Sequence, residues 1–213
     1  MKRILVIGAS RGIGLEVTRQ ALERGFAVRA MARSADGIAI ADEGLERVSG
    51  DATDPADLGP ALEGVDAVIM ALGVPKSLDF VTKPVALFST ATQALLPLME
   101  AAGIRRLLVV TGFGAGESAE RVSALERIPF RAILGRAYDD KSRQEELIEA
   151  SGLDWTIARP GILTNGPRTG RYKVLTEKAE WRNGIISRAD VAEFLLDALE
   201  RGSHVREAPV LVR

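Results

Sequence analysis

A continuous apolar run, Ile4-Leu5-Val6-Ile7, leads straight into Gly8-Ala9-Ser10-Arg11-Gly12-Ile13-Gly14, and an amphipathic stretch begins inside that heptapeptide. This junction constrains the chain more than any other feature. An uninterrupted apolar run predicts a strand buried on both faces, as in parallel sheets covered by helices. Ile13, Val17 and Ala21 then share one face of a helix expected from Ile13 to Arg24, with Gly25 as its stop. A glycine-rich turn can join a strand to a helix with no ligand at all. Small residues at Gly8, Ser10, Gly12 and Gly14 also let a diphosphate approach the backbone, and the helix N-terminus beside Ile13 offers unpaired N–H groups and a positive dipole end. Position decides between the two readings: the motif sits at the first strand–helix junction of an alternating chain, where a dinucleotide is expected.

That alternation continues along the chain. Further strands are expected at Phe26–Met31, Leu45–Ser49, Val65–Ala71, Ile104–Thr111, Leu153–Ala158 and Pro209–Val212. Asp54 followed by Pro55 reads as an N-cap and first helical residue, opening a helix to about Glu63. Other helices are expected at Pro84–Ala102, kinked or divided at Pro97, at Asp139–Ser151, and at Arg188–Arg201 behind a Ser187 cap. Strand–helix alternation at this spacing predicts right-handed βαβ units, hence an α/β fold with a doubly wound parallel sheet in three α/β/α layers. One domain spanning residues 1–213 is the simplest organisation. Two irregular stretches, around 112–138 and 160–184, follow strand ends, where ligands bind in open α/β sheets.

Composition narrows the chemistry. There is no cysteine and a single histidine, His204, so thiol nucleophiles, Cys-ligated metals and a metal site rich in histidine are excluded. A formal net charge of −1 argues against a nucleic-acid surface. No apolar run is long enough to span a bilayer, and the opening residues read as the approach to a first strand, so a secretory leader is not expected. A soluble, cytoplasmic protein acting on a small molecule is the expectation, with no metal and the oligomeric state open.

The end of the second strand refines the cofactor. An acidic residue there would accept hydrogen bonds from an adenosine ribose and select NAD. This chain has Ala32 and Arg33 instead, and a guanidinium forks onto a 2′-phosphate. Arg11 would reach the same phosphate from the glycine loop, so NADP(H) is expected over NAD(H). Asp51 and Ala52, after the third strand, are placed to meet adenine. The fourth strand ends in Ala71, Leu72 and Gly73, where small size and Gly73 would let the backbone run close beneath a cofactor.

These blocks resemble the short-chain dehydrogenase/reductase superfamily, in particular its atypical NmrA-like branch that includes flavin reductase (biliverdin reductase B). The likeness runs through GASRGIG, VRAMAR, GDATDPADL, DAVIMALG, LLVVTGFGAG, SGLDWTIARPGILTNGPRTGRYKV and ISRADVAEFLL. It implies a Rossmann-like fold, NADP binding, and reduction of a planar or carbonyl-bearing acceptor. Two departures stand out. Arg11 occupies the middle glycine position of the atypical G-x-x-G-x-x-G pattern, which leaves the G-x-x-x-G-x-G spacing of the branch with a Ser-Tyr-Lys active site. That branch carries Y-x-x-x-K, whereas here Tyr138 precedes Lys141 by three residues and Ala137 stands at the tyrosine position.

The resemblance places Lys141 near the nicotinamide ribose, Thr111 at the family's hydroxyl position, and the nicotinamide amide against Pro160, Gly161 and Ile162. Tyr138 is the candidate proton donor. Hydride transfer to a flavin, or with water as the proton source, needs no acid from the protein. The expected activity is NADPH-dependent reduction of a flavin, quinone-like or carbonyl acceptor. Its rivals are an NADP(H)-sensing regulator without turnover and a sugar-nucleotide epimerase or dehydratase. The region after Pro160 is short for the substrate lobe of the last.

Overall fold

Successive side chains of a strand point to opposite faces, and the first strand sorts its residues accordingly. In the computed structural model, which describes residues 2–73 and 85–213 and only the backbone within 124–134, β1 is Arg3–Ile7. Its Ile4 and Val6 pack on one side of the sheet, and Leu5 and Ile7 on the other. Helix α1 (Gly12–Glu23) covers the first side. The other parallel strands are β2 (Ala27–Ala32), β3 (Leu45–Ser49), β4 (Ala67–Met70), β5 (Arg106–Val110) and β6 (Asp154–Pro160). Near the C-terminus come β7 (Ile162–Thr164), β8 (Lys173–Leu175), β9 (Ile185–Ser187) and β10 (Val210–Val212).

The central sheet has eight strands in the order β3-β2-β1-β4-β5-β6-β10-β8, all parallel except β8, which runs antiparallel to β10. β7 and β9 form a separate parallel pair. Helices α2 (Pro55–Ala61), α3 (Leu87–Ala101) and α4 (Ala124–Glu149) lie on the Leu5 side, and α5 (Arg188–Arg201) joins α1 on the Ile4 side. This is the expected doubly wound, Rossmann-like arrangement. The chain's progress across the sheet reverses between β1 and β4, and ligands bind in the crevice beyond such a reversal.

Two strand arginines secure helix ends. Arg29 of β2 donates to the carbonyls of Pro60, Ala61 and Glu63 at the C-terminus of α2, and Arg106 of β5 donates to those of Ala198, in the last turn of α5, and Ser203 just beyond it. Each supplies a cation where the helix dipole is negative.

The structure corrects several local expectations. The helix expected from Asp139 begins at Ala124, because it continues through Pro129 and Gly135, residues that read as breakers. Much of the stretch 112–138 is therefore helical, preceded by a 3-10 turn at Gly116–Arg121. Helix α3 is continuous through Pro97, while the expected start at Pro84 lies outside the described residues. The stretch 160–184 contains β7 and β8, too short for a periodic pattern to register.

Candidate functional site

Beyond the C-terminal ends of β1 to β5 lies a cleft of about 850 Å³. Its floor is the glycine loop. Gly8 has φ +89°, and a Cβ there would stand 2.6 Å from the Ala71 carbonyl oxygen. A Cβ on Gly14 would stand 2.2 Å from the carbonyl oxygen of Gly8. Neither position admits a side chain without displacing backbone, so the loop lies flat against β4 and the start of α1. Gly12, Ile13, Ser10 and Arg11 form its cleft-facing surface.

The start of α1 is left open toward this space. Asp54 caps α2 by accepting from Ala56 N at 2.9 Å, and Ser187 caps α5 by accepting from Asp190 N at 2.9 Å. The cap of α3 comes from another helix: Asp140 accepts from the N–H groups of Phe88 and Ser89. At α1, Arg11 holds the N-cap position without a capping side-chain hydrogen bond, and no acidic residue lies in the first turn. Free N–H groups and a positive dipole end thus meet the cleft, which is how a helix receives a phosphate.

Charge along the cleft is uneven. Arg11, Arg33, Lys141 and Arg188 line it, against Asp51 as the one acidic lining residue among those described. Hydrogen bonds from the Thr53 backbone (2.9 Å) and hydroxyl (2.8 Å), with the nearby charge of Arg33, hold the Asp51 carboxyl below the usual range. It therefore stays an acceptor at neutral pH, opposite the arginine of β2's end.

Gly8, Ser10, Arg11, Gly12, Ile13, Arg33, Asp51, Ala52, Ala71, Leu72, Gly73 and Lys141 all line the cleft. Gly14 lies just under its floor. The remaining candidates fall outside the lining, for identifiable reasons. Pro160 completes β6, Gly161 N donates to Leu211, and Ile162 N donates to Gly184 at 2.7 Å. Ile162 turns its side chain out, 59% exposed, and the next residue, Leu163, faces the cleft. Tyr138 directs its hydroxyl at Gly112, where a Cβ would meet it at 2.5 Å. Burial, with the charge of Glu145 behind it, pushes that phenol up to about 12.

Thr111 is buried at 2% exposure, and its hydroxyl bonds the Glu145 carboxylate rather than facing the cleft. Its carbonyl accepts from Lys141 Nζ. The amine of Lys141 also lies 5.1 Å from the Phe88 ring centre and 5.3 Å from that of Tyr138. Burial lowers its pKa to about 8, the charge of Glu145 opposing the shift. Behind Thr111, Glu145 is paired with Arg159, Nη2 to Oε2 at 2.6 Å, in a fully enclosed ion pair whose guanidinium also lies 5.0 Å from the Trp181 ring.

Sequence reasoning passed over Arg188, Asn165 and Phe88 in the cleft wall, and Glu145 and Arg159 behind it. A signal existed for Arg159, a charge inside the otherwise buried strand Asp154–Pro160. For Arg188 the sequence carried only a helix start.

Among the described residues no helix is long and apolar enough to cross a membrane, and no group of three or more His, Cys, Asp or Glu is placed to hold a metal. An uncharacterised chloroplastic protein of Arabidopsis thaliana is 30% identical to this chain, over 93% of the chain and 72% of the relative. An NAD(P)H azoreductase of Xenophilus azovorans is 27% identical over 96% of the chain and 66% of its own length. The chain spans between 42% and 72% of the length of three curated relatives, so it corresponds to part of those longer proteins. Among solved structures, the anaerobilin reductase ChuY of Escherichia coli O157:H7 superposes with a TM-score of 0.82 at 26% identity, covering 99% of this chain and 97% of that one. A family model described as NAD(P)H-binding matches residues 8–202. With the flat glycine loop, the open start of α1 and the cationic cleft, the chain belongs to this NAD(P)H-binding family.

Proposed function

We propose that the protein is an NADPH-dependent reductase of a small organic acceptor: a flavin, a quinone-like or a carbonyl compound. The observation that carries this reading is the single cleft joining the glycine loop, the Arg33 end and Lys141. Its volume, its cations and the cradle that a Cβ at Gly8 would disrupt suit an extended, phosphate-bearing dinucleotide. Reductase activity named for relatives such as the azoreductase and ChuY supports the same chemistry.

In this reading Arg33 and Arg11 hold the 2′-phosphate, Asp51 and Ala52 meet the adenine, and the start of α1 takes the diphosphate. Ala71 to Gly73 run beneath the cofactor, and Lys141 lies at the nicotinamide end. Pro160, Gly161 and Ile162 act through the course of the backbone. NADPH, when bound, supplies a hydride to the acceptor. Thr111 and Tyr138 turn their hydroxyls away from the cleft, which favours acceptors protonated by water. The segments around 112–138 and 160–184 border the acceptor's side, and residues 1–213 work as one unit. The partner is a small molecule in the cytoplasm, with neither nucleic acid nor membrane involved.

The orientation of Tyr138 also favours a second reading, a protein that senses NADP(H) without turnover. Stopped-flow oxidation of bound NADPH against flavins, quinones, aldehydes and azo compounds separates the two. Acceptor-dependent oxidation with at least one of them is the expected result. Tight NADPH binding with no oxidation by any acceptor would sink the reductase reading and leave the sensor.

Lys141 gives the site a pH dependence. Its amine loses its charge as pH rises through about 8, well below an ordinary lysine, because burial opposes the ammonium. NADPH affinity is therefore expected to fall across that pH in the wild type. In Lys141→Met the affinity is lower at neutral pH and this fall disappears; an unchanged profile in the variant would remove Lys141 from the cofactor's surroundings.

A further inference from the structure

Arg188 is the cleft cation that neither the sequence motifs nor the family description assigns. It opens α5, on the wall facing the glycine loop, and a Cβ on Gly12 would lie 3.8 Å from its Nε and 3.9 Å from its Cδ. Nη1 donates to Asn165 Oδ1 at 2.7 Å, a neutral acceptor. Among the described residues no carboxylate pairs with it, whereas Arg24, Arg29, Arg105, Arg159, Arg168 and Arg201 each have an acidic partner. Its position is electrostatically adverse on its own. It occupies the first turn of α5, where the helix dipole opposes a cation, and it lies against the equally positive start of α1. An anion between the two helix starts would turn this arrangement from repulsive to attractive.

The framework around Arg188 is rigid. β7 pairs with β9, and Gly161 approaches Gly184 so closely that a Cβ would stand 2.3 Å from its carbonyl oxygen. That approach fixes Asn165 beyond the end of β7 relative to Arg188 beyond the end of β9. Gln20, in the C-terminal half of α1, donates to the Ala189 carbonyl at 2.9 Å, tying that helix to the start of α5. The distance from Arg188 to Gly12 is thus set by packed elements rather than by a loop.

We propose that Arg188, aimed by Asn165, grips the cofactor's diphosphate from the side opposite the glycine loop. This rests on the NADP(H) reading above and adds a binding residue to it. A position beside Gly12, where the glycine loop meets the start of α1, rather than beside Arg33 and Asp51, selects the diphosphate over the 2′-phosphate. Arg188 therefore contributes to NADPH and NADH alike. Asn165 acts through Arg188, as a positioning residue.

Dissociation constants of NADPH and NADH, measured by titration of the full chain, test the proposal. Arg188→Gln is expected to weaken both by the same factor, about 10- to 100-fold, as for a lost charge-assisted fork. Asn165→Ala, at an exposed position, should weaken both by a smaller common factor of about 3-fold, leave the thermal transition unchanged, and add nothing in the double variant. If Arg188→Gln does not fold, Asn165→Ala carries the test alone. Unchanged binding of both cofactors overturns the proposal, as does a loss confined to NADPH, which would put Arg188 at the 2′-phosphate. A wild type that binds neither dinucleotide refutes the cofactor reading itself, and the role of Arg188 with it.

Discussion

Replacing Arg159 by methionine is expected to lower the unfolding free energy by about 3–5 kcal/mol, the usual consequence of leaving one member of a buried ion pair alone. The guanidinium is wholly enclosed, and the carboxylate of Glu145 is 2% exposed. Arg159 reaches Glu145 through both Nε and Nη2, so the bond is forked. Without it, Glu145 would keep only the Thr111 hydroxyl and a distant cation, and would have to be protonated or hydrated in a dry interior. For a chain of this size that loss corresponds to a fall in the thermal midpoint of roughly 10 °C. Adding Glu145→Leu should recover most of the stability, because a matched apolar pair avoids the desolvation of two charges. Urea unfolding of the two single variants and the double variant measures this. A loss below about 1 kcal/mol in Arg159→Met would mean that the pair is no stronger than a surface salt bridge.

The pair also connects two regions that the cleft needs together. Glu145 lies one turn after Lys141 on α4, and it bonds the hydroxyl of Thr111, whose carbonyl holds the Lys141 amine. Arg159 lies just before the turn into β7, which carries Leu163 to the cleft. Both cleft walls therefore converge on one buried contact.

Which features the amino-acid sequence revealed follows from the range of the interactions involved. Continuous apolar strands, the Asp54 and Ser187 caps and the glycine loop are local patterns, and the structure realises each of them. Helix α4 was half hidden because Pro129 and Gly135 carry local signals that the packed helix overrides. Contacts between distant segments were invisible: Asn165 with Arg188, Glu145 with Arg159, and Asp140 capping a helix that starts at Leu87. No spacing rule brings such residues together before the strand order is known. The three-residue interval from Tyr138 to Lys141 was legible. That it turns the phenol toward Gly112 while the amine enters the cleft depends on how α4 packs on β5.

Cofactor preference should change most on charge reversal at Arg33. Arg33→Asp is expected to weaken NADPH by about 100-fold or more, the equivalent of about 3 kcal/mol for a lost guanidinium–phosphate fork. NADH should change by no more than about 3-fold, since a carboxylate at the end of the second strand suits a ribose hydroxyl as well as the arginine suits a phosphate. The residue is exposed at the rim of the cleft, so the substitution leaves the core untouched. It also places a second carboxylate near Asp51, whose ionised form Arg33 now favours, and that added repulsion falls on the 2′-phosphate as well. Arg11→Ala should produce a smaller loss in the same direction, because Arg33 would still hold the phosphate. Parallel titrations with NADPH and NADH give the ratio directly. Equal losses for both cofactors in Arg33→Asp would mean that the arginine does not meet the 2′-phosphate.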